Sequence, residues 1–170
     1  MSIHQLLQDL IVVLSYQPAA DTIVFESNLD ATDDIVFADP DRLRQVFLNI
    51  LLNAVDAVSG DTCYDARIKM ITEFTNDDSG LPSESERGFI KVTIQDSGPG
   101  IHPSHLPHVF DPFFTTKPPG KGTGLGLSVS FMIVEKLGGH ITVSGSEERG
   151  AVFQVMLPLT KSSEVNGIDR

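Results

Sequence analysis

Apolar residues recur at helical spacing three times along the chain. Ile3, Leu6, Leu7, Leu10, Val13 and Leu14 predict a helix over Met1 to Tyr16 that Pro18 stops. Asp39 as N-cap and Pro40 at the first helical position open a second helix, to about Val58, with Leu43, Val46, Phe47, Ile50, Leu51, Ala54 and Val58 as its buried stripe. A third runs from Leu125, with Leu125, Val129, Met132, Ile133 and Leu137 as its stripe, to Gly138-Gly139. Between them lie segments of strand character. Ile23 to Glu26 and Ile35 to Ala38 predict two short strands around a polar turn, Asn28 to Asp34; Arg67 to Thr75 alternates Ile68, Met70 and Thr72 against Lys69, Ile71 and Glu73, which predicts a strand but leaves its buried face open; Phe89 to Gln95, a further strand, follows a polar segment, Asn76 to Gly88, expected to be a mobile hairpin loop. His140 to Ser144 and Ala151 to Leu157 predict two more strands, joined through Gly145 and Gly150, and the polar tail from Thr160 to Arg170 is expected to be disordered.

Chemistry enters with the run from Phe110 to Leu127, F-D-P-F-F-T-T-K-P-P-G-K-G-T-G-L-G-L. Its glycines, Gly120, Gly122, Gly124 and Gly126, fall on every second position, so successive N–H groups can turn to one side and line an anion-binding concavity. The third helix begins where they end, adding unpaired N–H groups and a positive dipole end, and Lys117 and Lys121 add charge. A P-loop is excluded, because it requires Gly at Thr115 and Ser or Thr at Gly122; a Rossmann glycine motif fails at Leu127. A flexible glycine linker is the plain alternative.

On the second helix Arg42, Gln45, Asn49, Asn53 and Asp56 follow spacings of three and four, opposite the apolar stripe. Asparagine is a mediocre helix former, and two of them one turn apart either face solvent or serve a task. Amide oxygens are hard, neutral ligands suited to Mg²⁺ beside substrate phosphates. Asp96 ends a strand at D-S-G-P-G-I, where Gly98 and Gly100 permit close backbone approach; its carboxylate can accept from an exocyclic amine such as adenine's, or simply form an Asx turn. His102, His105 and His108 recur every third residue, but Pro103 and Pro107 break the helix that would align them on a metal, and Phe110, Phe113 and Phe114 read as anchors of a lid.

A length of 170 residues with 41% hydrophobic residues fits one domain with a proper core. A formal charge of -11 disfavours nucleic-acid binding and makes any phosphate binding local. The lone Cys63 allows no internal disulfide, and the apolar run Leu10 to Leu14 is too short to span a membrane, so a cytoplasmic chain without membrane contact is expected.

In this order the parts resemble the catalytic, ATP-binding domain of two-component sensor histidine kinases, in the superfamily shared with gyrase, mismatch-repair and heat-shock chaperone ATPases. L-R-Q-V-F-L-N-I-L-L-N-A-V-D-A is similar to the family's N box, D-S-G-P-G-I to its first glycine box, F-D-P-F-F-T-T-K to its F box, with wording nearest the nitrogen-regulation type, and G-K-G-T-G-L-G-L to its second glycine box. The resemblance implies an α/β (α+β) two-layer sandwich, a mixed sheet covered on one face by helices, with an ATP lid between the F box and the second glycine box. It implies residues 1–20 as the end of a dimerisation-domain helix and linker, 21–159 as the ATP-binding domain and 160–170 as a tail. It implies Asn53 as the Mg²⁺ ligand, Asn49 and Asp56 as polar neighbours, and Asp96 as the adenine-reading carboxylate with Gly98, Gly100 and Ile101 bordering the base. Thr116, Lys117, Lys121, Gly122, Thr123, Gly124, Leu125, Gly126 and Leu127 would hold the phosphates; Asn49, Asn53 and Lys117 would serve catalysis.

Two departures stand out. Ala151 occupies a position that is often Thr in the superfamily, where the hydroxyl helps bind adenine through water. No histidine followed by an acidic residue and Arg lies in a helix, and His4 lacks that context. The superfamily's ATPases generally carry Glu where this chain has Asn49, and an amide cannot take a proton from water. The expected function is therefore γ-phosphoryl transfer to a histidine on a separate dimerisation domain, which then serves a response regulator. The rivals are an ATP-driven machine, a serine kinase of the anti-sigma type, and a module that binds nucleotide without catalysis.

Overall fold

The computed structural model describes residues 1–59, 65–76, 88–146 and 150–159. The expected tail and nearly all of the expected loop from Asn76 to Gly88 lie outside the described residues. Three helices, α1 (Ile3–Ser15), α2 (Pro40–Val58) and α3 (Gly126–Lys136), and five strands, β1 (Val24–Leu29), β2 (Arg67–Thr75), β3 (Phe89–Asp96), β4 (His140–Ser146) and β5 (Gly150–Pro158), make up the described regular structure with two short 3₁₀ turns. The strands form one mixed sheet in the order β1-β2-β3-β5-β4, in which only β1 and β2 run parallel.

Alternation along the strands sets the layers. Ile68, Met70 and Thr72 of β2, Ile90, Val92 and Ile94 of β3, and Phe153, Val155 and Leu157 of β5 are buried, and the register pairs Met70 with Ile94, Ile94 with Phe153 and Val92 with Val155 on one face. Leu43, Val46, Phe47, Ile50, Leu51, Ala54, Val55 and Val58 of α2 join that face in a single core. The other face carries half-exposed Lys69, Lys91, Thr93 and Gln154. This is the two-layer sandwich that the resemblance implies, with the described helices on one face.

α1 contributes Ile3, Leu6, Leu7, Leu10 and Leu14 to the same core. His4 fastens it: Nε2 lies 2.8 Å from the Oγ1 of buried Thr72 on β2, and the His4 backbone N–H donates to Asp34 Oδ2 at 2.9 Å. The segment Ile35 to Ala38 is not a strand of the sheet. Ile35 makes an isolated antiparallel bridge to Ser2, Val36 N donates to Met1 O at 3.0 Å, and Phe37 is exposed. One buried residue in four gives too little apolar area to enter the sheet, and Asp39-Pro40 begins α2 at once. β1 instead runs on to Leu29, through part of the expected polar turn.

The stripe read for α3 is also corrected. Met132 is 53% and Leu125 39% exposed, whereas Ser128, Ser130, Ile133 and Val134 are buried. The helix is apolar on most sides, so periodicity alone does not choose its inner face. Ser128 and Ser130 can go inside because their hydroxyls bond back to the carbonyls of Leu125 and Gly126, at 2.9 Å each.

Candidate functional site

A cleft of about 1260 Å³ lies between the polar face of α2, the C-terminal end of β3 and the segment from Phe114 to Leu127. α2 supplies Asn49, Asn53 and Asp56, all on its polar face. β3 supplies its last residue, Asp96, and the turn after it supplies Gly98, Gly100 and Ile101. The glycine-rich segment supplies Thr116, Lys117, Lys121, Gly122, Thr123, Gly124, Gly126 and Leu127. Of the residues the sequence points to, only Leu125 does not line the cleft; it caps α3 with its side chain turned partly to solvent. Leu52 and Ala57 of the N box and Phe114 of the F box add an apolar lining, joined by Val109 and Phe153, which no motif marks.

Asp96 is 4% exposed and its Oδ1 accepts from Gly98 N at 2.9 Å and Ala151 N at 3.2 Å. Among the described residues no donor reaches Oδ2, which is left for a ligand. Burial pushes the carboxyl above its ordinary pKa, against the opposing pull of those two N–H groups. The close packing here demands glycine: a Cβ on Gly150, at φ +74°, would lie 1.8 Å from Asp96 O. Ala151 thus serves the site through its backbone N–H, whatever its side chain lacks.

Asn49 Nδ2 donates to Gly126 O at 3.0 Å and to Ser130 Oγ at 3.2 Å, so it ties α2 to the start of α3. One helical turn on, Asn53 Oδ1 accepts from Lys117 Nζ at 3.3 Å, and Asp56 Oδ2 forms a close ion pair with the same ammonium. These two oxygens already hold a cation. The donor set, an amide oxygen and a carboxylate on one helix face, fits a hard divalent ion with water completing its shell.

Of the four alternating glycines only Gly120 and Gly124 have positive φ, +85° and +65°. Gly124 is pressed against Phe113, where a Cβ would lie 2.4 Å from its carbonyl carbon, and Phe113 N donates to Gly124 O at 2.9 Å. That contact turns Phe113 itself to φ +66° and leaves its ring 74% exposed, so it is no lid anchor. Phe110 packs on Phe131 of α3 and Phe114 on His105 and His108. His102 pairs with Ser104 and His108 with Asp111, local turn contacts. α3 begins with no side-chain cap and no acidic residue in its first turn. Its first N–H groups and dipole therefore favour an anion at the cleft wall.

A buried carboxylate acceptor, a pair of oxygens on α2 and a lysine-bearing glycine segment at a helix start give this cleft the chemistry to take an anionic ligand with a polar head group. Residues 38–161 match the family described as histidine kinase-, DNA gyrase B- and HSP90-like ATPases, and the chain belongs to that family. Two-component sensor PprA of Pseudomonas aeruginosa is 40% identical over 133 residues, 78% of this chain and 13% of that protein. Sensory histidine kinase/phosphatase NtrB of Rhizobium meliloti is 34% identical over 172 residues, 95% of this chain and 41% of that protein. The chain thus spans less than half the length of these curated relatives. The catalytic domain of histidine kinase ThkA superposes with a TM-score of 0.73 at 31% identity, covering 93% of each chain. ThkA in complex with response regulator protein TrrA matches with a TM-score of 0.70 at 27% identity, over 94% of this chain and 41% of that one. No described helix is long and apolar enough to cross a membrane.

Proposed function

We propose that this chain is the ATP-binding catalytic domain of a sensor histidine kinase, which positions Mg-ATP for γ-phosphoryl transfer to a histidine on a separate dimerisation domain. Asn49 carries the reading. An ATPase needs a base facing the attacking water, and an amide is none; both N–H groups of Asn49 are moreover committed to Gly126 and Ser130. Its task is to position α3 against α2. The reacting nucleophile is then supplied from outside, as a histidine.

Phosphoryl transfer asks for position and charge compensation more than for covalent chemistry. Asp96 takes the adenine amine, with Gly98, Gly100 and Ile101 along the base. Lys117, Lys121, the Thr123 hydroxyl and the N–H groups from Gly122 to Leu127 hold the phosphates. Asn53, with Asp56 beside it, would hold Mg²⁺, which when bound neutralises charge on the phosphate oxygens. The dimerisation domain would join through residues 1–20, whose helix α1 packs in the same core as the catalytic portion, 21–159. It belongs to the same full-length protein or acts in trans, the response regulator follows as in the ThkA partnership, and the reaction takes place in the cytoplasm.

The test is to mix the chain with the histidine-bearing domain and γ-labelled Mg-ATP. Acid-labile label on the histidine is the expected result. Sustained phosphate release by the chain alone would move it among the ATPases, and ATP binding without transfer would make it a non-catalytic module.

A further inference from the structure

The two lysines of the glycine-rich segment are not equivalent. Both line the cleft, yet among the described residues the Lys121 side chain has no partner, while Lys117 Nζ donates to Asn53 Oδ1 and Asp56 Oδ2. The position of Lys117 is built into the loop. Its backbone N–H donates to Thr115 Oγ1 at 3.1 Å, and its stem lies over Gly122, where a Cβ would come 3.2 Å from Lys117 Cβ and 2.6 Å from Thr115 Oγ1. The ammonium therefore rests on the two oxygens that α2 offers to a divalent cation. A second cation drawn to these two oxygens would compete with the ammonium for them.

Resting on the ATP-site reading above, we infer that Lys117 and Mg²⁺ alternate on Asn53 and Asp56, and that Asp56 is a positioning residue that withholds Lys117 from the phosphates until the metal arrives. Without metal, ATP must draw the ammonium away from Asp56. With metal, the ion that takes the Asn53 and Asp56 oxygens releases Lys117, and the freed ammonium moves to the phosphates. Gly120, at φ +85° with open space around it, and the Pro118 to Lys121 turn give the loop a place to bend. Metal and nucleotide then help each other bind by more than their direct attraction, and by linkage the help is reciprocal.

The experiment is a calorimetric titration of ATP, with EDTA or with excess MgCl₂, into the wild-type chain, Asp56→Asn, Lys117→Gln and the double variant. Asp56→Asn is expected to tighten metal-free ATP by about fivefold, the upper range for a partly exposed ion pair. It should shrink the gain from Mg²⁺ to match. In the Lys117→Gln background the same substitution should change metal-free affinity by less than about twofold. An equal gain in both backgrounds would reduce Asp56 to simple repulsion of phosphate and overturn the inference, as would no gain at all, in either case with the ATP reading intact. Absence of ATP binding to the wild-type chain with MgCl₂ would overturn both.

Discussion

Replacing Asp96 by Asn separates what the cleft needs from what the fold needs. The side chain is buried, Oδ1 accepts two backbone N–H groups, and Oδ2 is unused by the described residues. An amide of the same shape can keep both N–H bonds through its oxygen, but it turns an N–H donor toward the adenine amine, donor against donor. A hydrogen bond to a charged group contributes about 1.5–3 kcal/mol, so ATP should bind about tenfold to a hundredfold more weakly. The stability of the unliganded chain should move the other way. Burial raises the carboxyl's pKa above its unfolded value. The stabilisation from a protonated Asp96 is thus complete below the ordinary carboxylate range and is lost as pH rises through the raised value, and at neutral pH the buried charge opposes folding. Removing it should leave the melting temperature of the nucleotide-free chain unchanged or higher. Wild-type affinity for ATP should in turn weaken as pH falls through that raised range, because a protonated carboxyl offers a donor, and the variant should lack this dependence. Calorimetry with ATP and thermal unfolding without it check both halves. A variant that binds ATP like the wild type would refute Asp96 as the adenine acceptor, and one that melts well below it would refute the view that the buried charge is a cost.

Gly124→Ala should break the turn against Phe113, since its Cβ would fall 2.4 Å from the Phe113 carbonyl carbon at φ +65°, and ATP affinity should fall sharply; Gly120→Ala, at φ +85° with nothing within 4 Å, should cost only about 1–2 kcal/mol of loop strain, as ATP titration and melting of the two variants will show. In the core, Leu51→Ala should destabilise the chain by about 2–5 kcal/mol, while Met132→Ala, at a half-exposed position outside the buried face of α3, should stay within about 0.5 kcal/mol, measured by denaturant unfolding.

The elements with one-sided patterns were legible in the sequence, and the site residues on them came with the pattern. On α2 a strict apolar stripe leaves one polar face, so the spacing of Asn49, Asn53 and Asp56 alone puts them together. On β2 the alternation gave a strand but did not choose its inner face; Thr72 is buried because its hydroxyl meets His4 Nε2 at 2.8 Å and accepts from Ala31 N at 3.3 Å. α3 misled because both of its sides are apolar, and what selected the inner face was a pair of serines whose hydroxyls could be satisfied locally. Ile35 to Ala38 misled because strand-like residue types say nothing about partners, and the partner present was the chain start at Met1 and Ser2. The alternating glycines suggested four special backbone positions, yet only Gly120 and Gly124 use positive φ, while Gly122 is needed for the Lys117 stem. Spacing counts glycines; only contacts say which freedom each one uses.

The same distinction identifies α2, rather than the glycine-rich segment, as the frame of the site. Three residues of one helix face fix the lid at two places along the axis. Asn49 holds the first turn of α3 through Gly126 and Ser130, and Asn53 with Asp56, about one and two turns further on, holds Lys117. A helix buried along its whole opposite face keeps those points at a fixed separation, so the loop between them can move only by bending at Pro118 to Gly124 and releasing Lys117. The Asn49 tie is neutral and half-buried and should persist when ligand arrives, whereas the Lys117 tie is an exposed ion pair of the kind worth least in water and most readily exchanged. The lid is therefore hinged at its α3 end and latched at its Lys117 end, which is the arrangement a phosphate with its metal would be able to open.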